Sequence, residues 1–142
     1  MNYWLQPGST VEYYGTGNQV ITGINIGQAT IGSLHKYYNL DINMSGIAFA
    51  YPTNNPNVNS VYVRHYLNLL AGELNLDNDH VTANGGRSII IEDSTTLAIS
   101  QAAGFIRSET EDGSGLVRWN IGRATGNHVF PFGYTLAVAD RI

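Results

Sequence analysis

The sequence predicts an all-β chain of the β-solenoid kind, parallel β-helix-like, with short strands every seven or eight residues and a C-terminal β cap or strand extension. Three observations predict it. Apolar–any–apolar triplets recur from Val61 onward, at Val61/Val63, Leu67/Leu69, Leu74/Leu76, Val81/Ala83, Ile89/Ile91 and Leu97/Ile99, and Phe105 opens a seventh strand. Each triplet puts two apolar side chains on one face of an extended segment, the period-2 mark of a strand with one buried face. Turn residues separate them: Gly72, Gly85–Gly86, Ser94 and Gly104. Finally, charged residues are only 13% of the 142, against about 25% in an average soluble protein. Asn, Thr, Ser and Gly carry the polar load, as they do in turn-rich β-proteins.

Taken in order, residues 1–51 hold looser strand signals at Thr10–Tyr14, Gln19–Thr22 and Tyr37–Ile42. Gly15–Thr16–Gly17–Asn18 is a turn between the first two, with glycines free to take positive φ. The pattern weakens from Gly23 to His35, which reads as an inserted loop. Pro52–Asn59 (PTNNPNVN) is the plainest loop, since proline cannot donate to a central ladder. Residues 60–108 are the regular part. If three strands make a turn, a turn takes roughly 22 residues, inside the range of repeat architectures. Leu67 is then expected over Ile89, Leu74 over Leu97 and Val81 over Phe105. The solenoid domain is read as 1–108. Residues 109–142 form the C-terminal part, with an acidic glycine-rich turn, strands at Leu116–Ile121, His128–Phe130 and Tyr134–Val138, and a turn at Pro131–Gly133. Their alternation suggests a cap or the start of an antiparallel unit. Almost no helix is expected.

The bulk numbers exclude several classes. The chain has no Cys, which removes disulfides and cysteine-based zinc or nucleophile chemistry. The net charge is -4, with one lysine and scattered arginines; a nucleic-acid binder needs a basic stripe. No apolar run approaches the ~20 residues of a membrane span. The N-terminal MNYWLQPGSTVEYYG has no basic region leading into an apolar stretch. The expectation is a chain whose signal was removed, or an internal piece of a longer protein.

Each candidate site in the chain also has a plainer reading. Asp77, Asn78 and Asp79, with Glu73 nearby, carry oxygens of the kind Ca²⁺ takes, but the motif occurs once and reads as a solvated turn. Glu109, Glu111 and Asp112 share a flexible turn, with no rigid support to space them for acid–base work. Glu92–Asp93 mark the end of a strand. His35, His65, His80 and His128 lack metal-ligand spacing. No metal or cofactor is expected. The tyrosines stand out, because neighbours in a strand face opposite ways. Tyr13, Tyr38, Tyr62 and Tyr66 are the candidate outward platform for a glycan; the competing reading is a ladder that stabilises stacked strands. Trp4 and Leu5 at one end, and Tyr134, Leu136 and Val138 at the other, are the candidate assembly surfaces.

Three segments carry a family resemblance. GSTVEYYGTGNQVITG with YYNLDI, then LNLLAGELNLDNDHVTANGG, then GFIRSETEDGSGLVRWNIGRATGNHVFPFGY together resemble the repeated modules of large secreted surface proteins of the Bacteroidetes type. The resemblance implies a parallel β-helix from an adhesin-like protein of the kind exported by the type IX system. It brings no catalytic motif, and the chain departs from the pattern in its Gly23–His35 insertion. The expected function is therefore non-enzymatic: an extracellular or cell-surface structural and adhesive module that associates end to end with itself or with the rest of a larger protein. A carbohydrate-binding module is the alternative, and a polysaccharide-degrading enzyme the least expected reading.

Overall fold

The computed structural model describes residues 5–21, 36–45, 49–52, 60–76, 88–108 and 115–133. Among these there is no helix, and eleven strands run β1 Thr10–Gly15, β2 Gln19–Ile21, β3 Asn39–Met44, β4 Phe49–Pro52, β5 Ser60–Val63, β6 Leu67–Ala71, β7 Glu73–Asn75, β8 Ser88–Ile91, β9 Ile99–Gln101, β10 Phe105–Arg107 and β11 Leu116–Trp119. They form three sheets, ordered β1-β3-β6-β9, β10-β7-β4-β2 and β11-β8-β5. Every strand pair is parallel. From β3 onward the chain visits the first, second and third sheets in that order, three times over. Tyr37, bridged to Val63, precedes that run on the third sheet, and Phe132, bridged to Ile106, follows it on the second.

Parallel sheets usually have both faces covered. The first sheet here does not, and its strands alternate. In β3, Leu40, Ile42 and Met44 are buried while Asn39, Asp41 and Asn43 are partly exposed. Register stacks the inward residues of successive strands: Val11, Leu40, Leu67 and Ile99 in the first sheet, and Val61, Ile89 and Val117 in the third. Leu40, Leu67, Leu69, Ile89 and Ile91 are completely buried, and Ile106 from the second sheet joins the same core. Burying one such side chain is worth about 1.5–3 kcal/mol. β7 breaks the alternation: Glu73, Leu74 and Asn75 are all buried, and Asn75 Nδ2 donates to Glu73 Oε1 at 2.7 Å.

One corner depends on glycine. Gly72 joins β6 to β7 at φ 73°, and a Cβ there would lie 2.6 Å from Met44 Cβ and 2.7 Å from Met44 O. Positive φ and the lack of room both oppose a side chain.

The structure corrects several expectations. The stacked partners are not about 22 residues apart: Asp41 and Asn68 are separated by 27, and Asn68 and Ser100 by 32. Leu67 pairs with Ile99 rather than Ile89, and Leu74 with Ile106 rather than Leu97. The cause is connection length. Leu97 is 70% exposed on the turn before β9, so Leu97/Ile99 is not a strand pair. Among the described residues of the C-terminal part the pairing is parallel rather than antiparallel, β11 with β8 and Phe132 with Ile106. Residues 128–130 form no strand. Phe49–Pro52, which carried no strand signal in the sequence reading, is β4. Val81/Ala83, the Gly23–His35 stretch and residues 53–59 lie outside the described residues.

Candidate functional site

The expected assembly residues are only partly described. Trp4, Tyr134, Leu136 and Val138 lie outside the described residues, as do the acidic turns Asp77–Asp79 and Glu109–Asp112. Leu5 is half-buried and packs against the core. Among the described residues, β1, β2 and β5 at one end and β9, β10 and β11 at the other have a strand partner on one side only, with single bridges from Tyr37 to β5 and from Phe132 to β10.

The four expected platform tyrosines do not form one surface. Tyr13 faces inward, contrary to expectation, because it shares the parity of Val11, which continues the Leu40 stack. Its hydroxyl lies 2.9 Å from that of Tyr37, with the rings edge to face. Tyr14 is the outward member, 67% exposed. Tyr62 lies on the third sheet, and Lys36 Nζ stands 5.1 Å from its ring centroid. Tyr38 and Tyr66 meet at the corner between the third and first sheets, on either side of His65: Tyr38–His65 centroids are 5.1 Å apart, and His65–Tyr66 are stacked at 3.6 Å.

That corner also gathers a connected set of polar contacts. β8 ends at Ile91, and the turn after it reaches strands before and after its own. Glu92 pairs with Lys36. Asp93 Oδ2 lies 2.6 Å from His65 Nδ1, and Asp93 Oδ1 accepts the Thr95 N–H at 2.8 Å. Trp119 Nε1 donates to the Asp93 carbonyl at 2.8 Å, and His128 Nε2 lies 3.0 Å from the Ser94 carbonyl. The Trp119 ring is met edge-on by His128 and by Phe130. Burial raises the Asp93 carboxyl, but the Thr95 backbone N–H, the His65 ring and the Thr95 hydroxyl outweigh it. The net pKa lies below the ordinary 3.8. Chemically the corner is a set of mutually satisfied partners that ties neighbouring strand passes together.

The outer face of the first sheet is different. Alternation brings Thr10, Glu12 and Tyr14 of β1 alongside Asn39, Asp41 and Asn43 of β3, with Asn68 of β6 and Ser100 of β9 beyond. Hydrogen bonds cross it from strand to strand. Asn39 Nδ2 donates to Thr10 Oγ1 at 3.2 Å, and Asn43 Nδ2 to Glu12 Oε1 at 2.8 Å. Asn68 Nδ2 donates to Asp41 Oδ1 at 2.6 Å, while Ser100 Oγ donates to Asn68 Oδ1 at 2.7 Å. A bulge between Ile42 and Asn43 sets Ala71 opposite Asn43 and leaves Leu70 unmatched.

Neither surface contains three or more ligating side chains that could hold a metal, among the described residues. No described helix is long and apolar enough to cross a membrane. The His65–Asp93 contact and the outward Tyr14 escaped the sequence reading. Val11 carried the missing signal for Tyr14, since it fixes the parity of β1. Comparison with family models finds no match, nor does comparison with curated proteins or with solved structures.

Proposed function

We propose that the three parallel sheets are the faces of one β-solenoid, and that the chain is a non-enzymatic structural and adhesive module of a secreted or cell-surface bacterial protein. The observation that carries this reading is the repeated visiting order of the sheets, with one-sided strands at each end. A coil of this kind has no closed edge. Unpaired N–H and C=O groups at its ends are templates for another strand. A head-to-tail contact between copies repeats without closing and produces a filament. The resemblance to Bacteroidetes-type surface modules supports the same reading from the sequence motifs.

The test is sedimentation velocity at several concentrations, beside negative-stain electron microscopy of the intact chain. Concentration-dependent polymers are expected, and removal of residues 134–142 abolishes them. A monomer at every concentration rejects end-to-end assembly, and polymers that survive the deletion reject the C-terminal strand as the contact.

A further inference from the structure

We propose that the outer face of the first sheet is a carbohydrate-binding surface, with Tyr14 as its stacking ring and Glu12, Asp41, Asn43, Asn68 and Ser100 as its hydroxyl partners. The proposal names the ligand class for the adhesive part of the function proposed above, and rests on it.

The first argument is the ring. Tyr14 is 67% exposed, while its neighbour Tyr13 packs inside. The positions in register with it across the sheet are Asn43 and then Ala71, which are short. An amphipathic ring beside a level polar surface suits a sugar, which offers C–H groups on one face and hydroxyls around its rim.

The second argument is the donor and acceptor set. Carboxylates and carboxamides are planar groups able to engage neighbouring hydroxyls in pairs. A carboxylate has about four acceptor sites; Glu12 and Asp41 each receive one described side-chain bond, from Asn43 and Asn68. Those bonds hold the planar groups in place before a ligand arrives, which lowers the entropy cost of binding. Strand spacing sets their repeat at about 4.8 Å, so the four strands span about 14 Å, enough for an oligosaccharide rather than a single sugar.

Charge selects the ligand further. Glu12 and Asp41 stand opposite each other in register, an arrangement that costs stability on a sheet face. No Lys or Arg accompanies them among the face's described strands. An acidic polymer is therefore repelled, and a neutral one fits. A protein partner would be expected to use a larger apolar centre than Tyr14 and Leu70.

The experiment is affinity electrophoresis of the full chain through gels containing hydroxyethylcellulose, galactomannan or laminarin, with alginate as the acidic comparison. Retardation by at least one neutral polymer is expected, weakened at least tenfold in Tyr14→Ala and in Asp41→Ala, and unchanged in Tyr62→Ala. Circular dichroism of each variant separates loss of binding from loss of fold. Sedimentation of Tyr14→Ala should match the parent, so failure of glycan binding and failure of self-assembly are read independently. Absence of retardation by all three neutral polymers, retardation by alginate alone, or full binding by a folded Tyr14→Ala overturns the proposal.

Discussion

Two rows of residues run side by side across the first sheet. Leu40, Leu67 and Ile99 point inward, while Asp41, Asn68 and Ser100, one position later on the same strands, point outward. They share backbone, register and strand spacing and differ only in face. The inner row is buried at 0–6% exposure and belongs to the core. The outer row consists of hydrogen-bonded polar groups in contact with water. Water competes for every bond of the outer row, so each is worth about 1 kcal/mol or less. The inner row has no such competitor. Stability therefore resides mainly on one face.

The largest break in this comparison comes from the inner row. Leu67→Ala should cost about 3 kcal/mol, within the range for buried leucines, and lower the urea midpoint with little change in slope. Gly72→Ala comes next, at about 2 kcal/mol, because positive φ and the 2.6 Å approach to Met44 must both be relieved. A melting temperature equal to the parent's would show that the β6–β7 corner relaxes freely.

The Asp93 corner gives an intermediate effect, and one that depends on pH. Its carboxyl titrates lower when folded than the ordinary 3.8, so the unfolded chain binds the proton more readily. The corner's contribution is then complete above that value and is lost as pH falls through the lower folded value. Asp93→Asn should cost about 1 kcal/mol at pH 7 and flatten the fall in stability as the pH drops below the ordinary 3.8. An unchanged acid profile would mean that the His65 and Thr95 contacts contribute nothing. The smallest effect belongs to the outer row: Asn68→Ala should change stability by about 0.5 kcal/mol, measured by urea denaturation. A loss as large as that of Leu67→Ala would erase the distinction between the two faces.

Much of the inner row was legible in the sequence. Val61/Val63, Leu67/Leu69 and Ile89/Ile91 announce their buried face by alternation, and all six are buried. The interval between passes was not legible, because triplet spacing does not reveal how much chain the corners take up. Leu97 looks like a core residue and lies on an exposed turn, whereas Glu73 looks like a surface residue and is 7% exposed. The interval in turn hid the corner cluster. His65 meets Asp93 only at a separation of 28, and a pass of roughly 22 residues sets Arg87 opposite it instead. On the outer row the residue types were visible, but their hydrogen bonding follows from register, which local patterns do not determine.

Lys36 has a mechanical consequence. Backbone pairing links each strand pass only to the next, so a molecule pulled from its ends meets its hydrogen bonds in series and yields one pass at a time. Lys36 reaches across the ring of Tyr62 to Glu92, beyond the neighbouring pass. It acts as a strap in parallel with the ladder. Under load the Tyr37–Val63 and Val63–Ile91 steps are coupled through it and release together, so Lys36→Met should split one force peak into two smaller ones in a single-molecule extension trace.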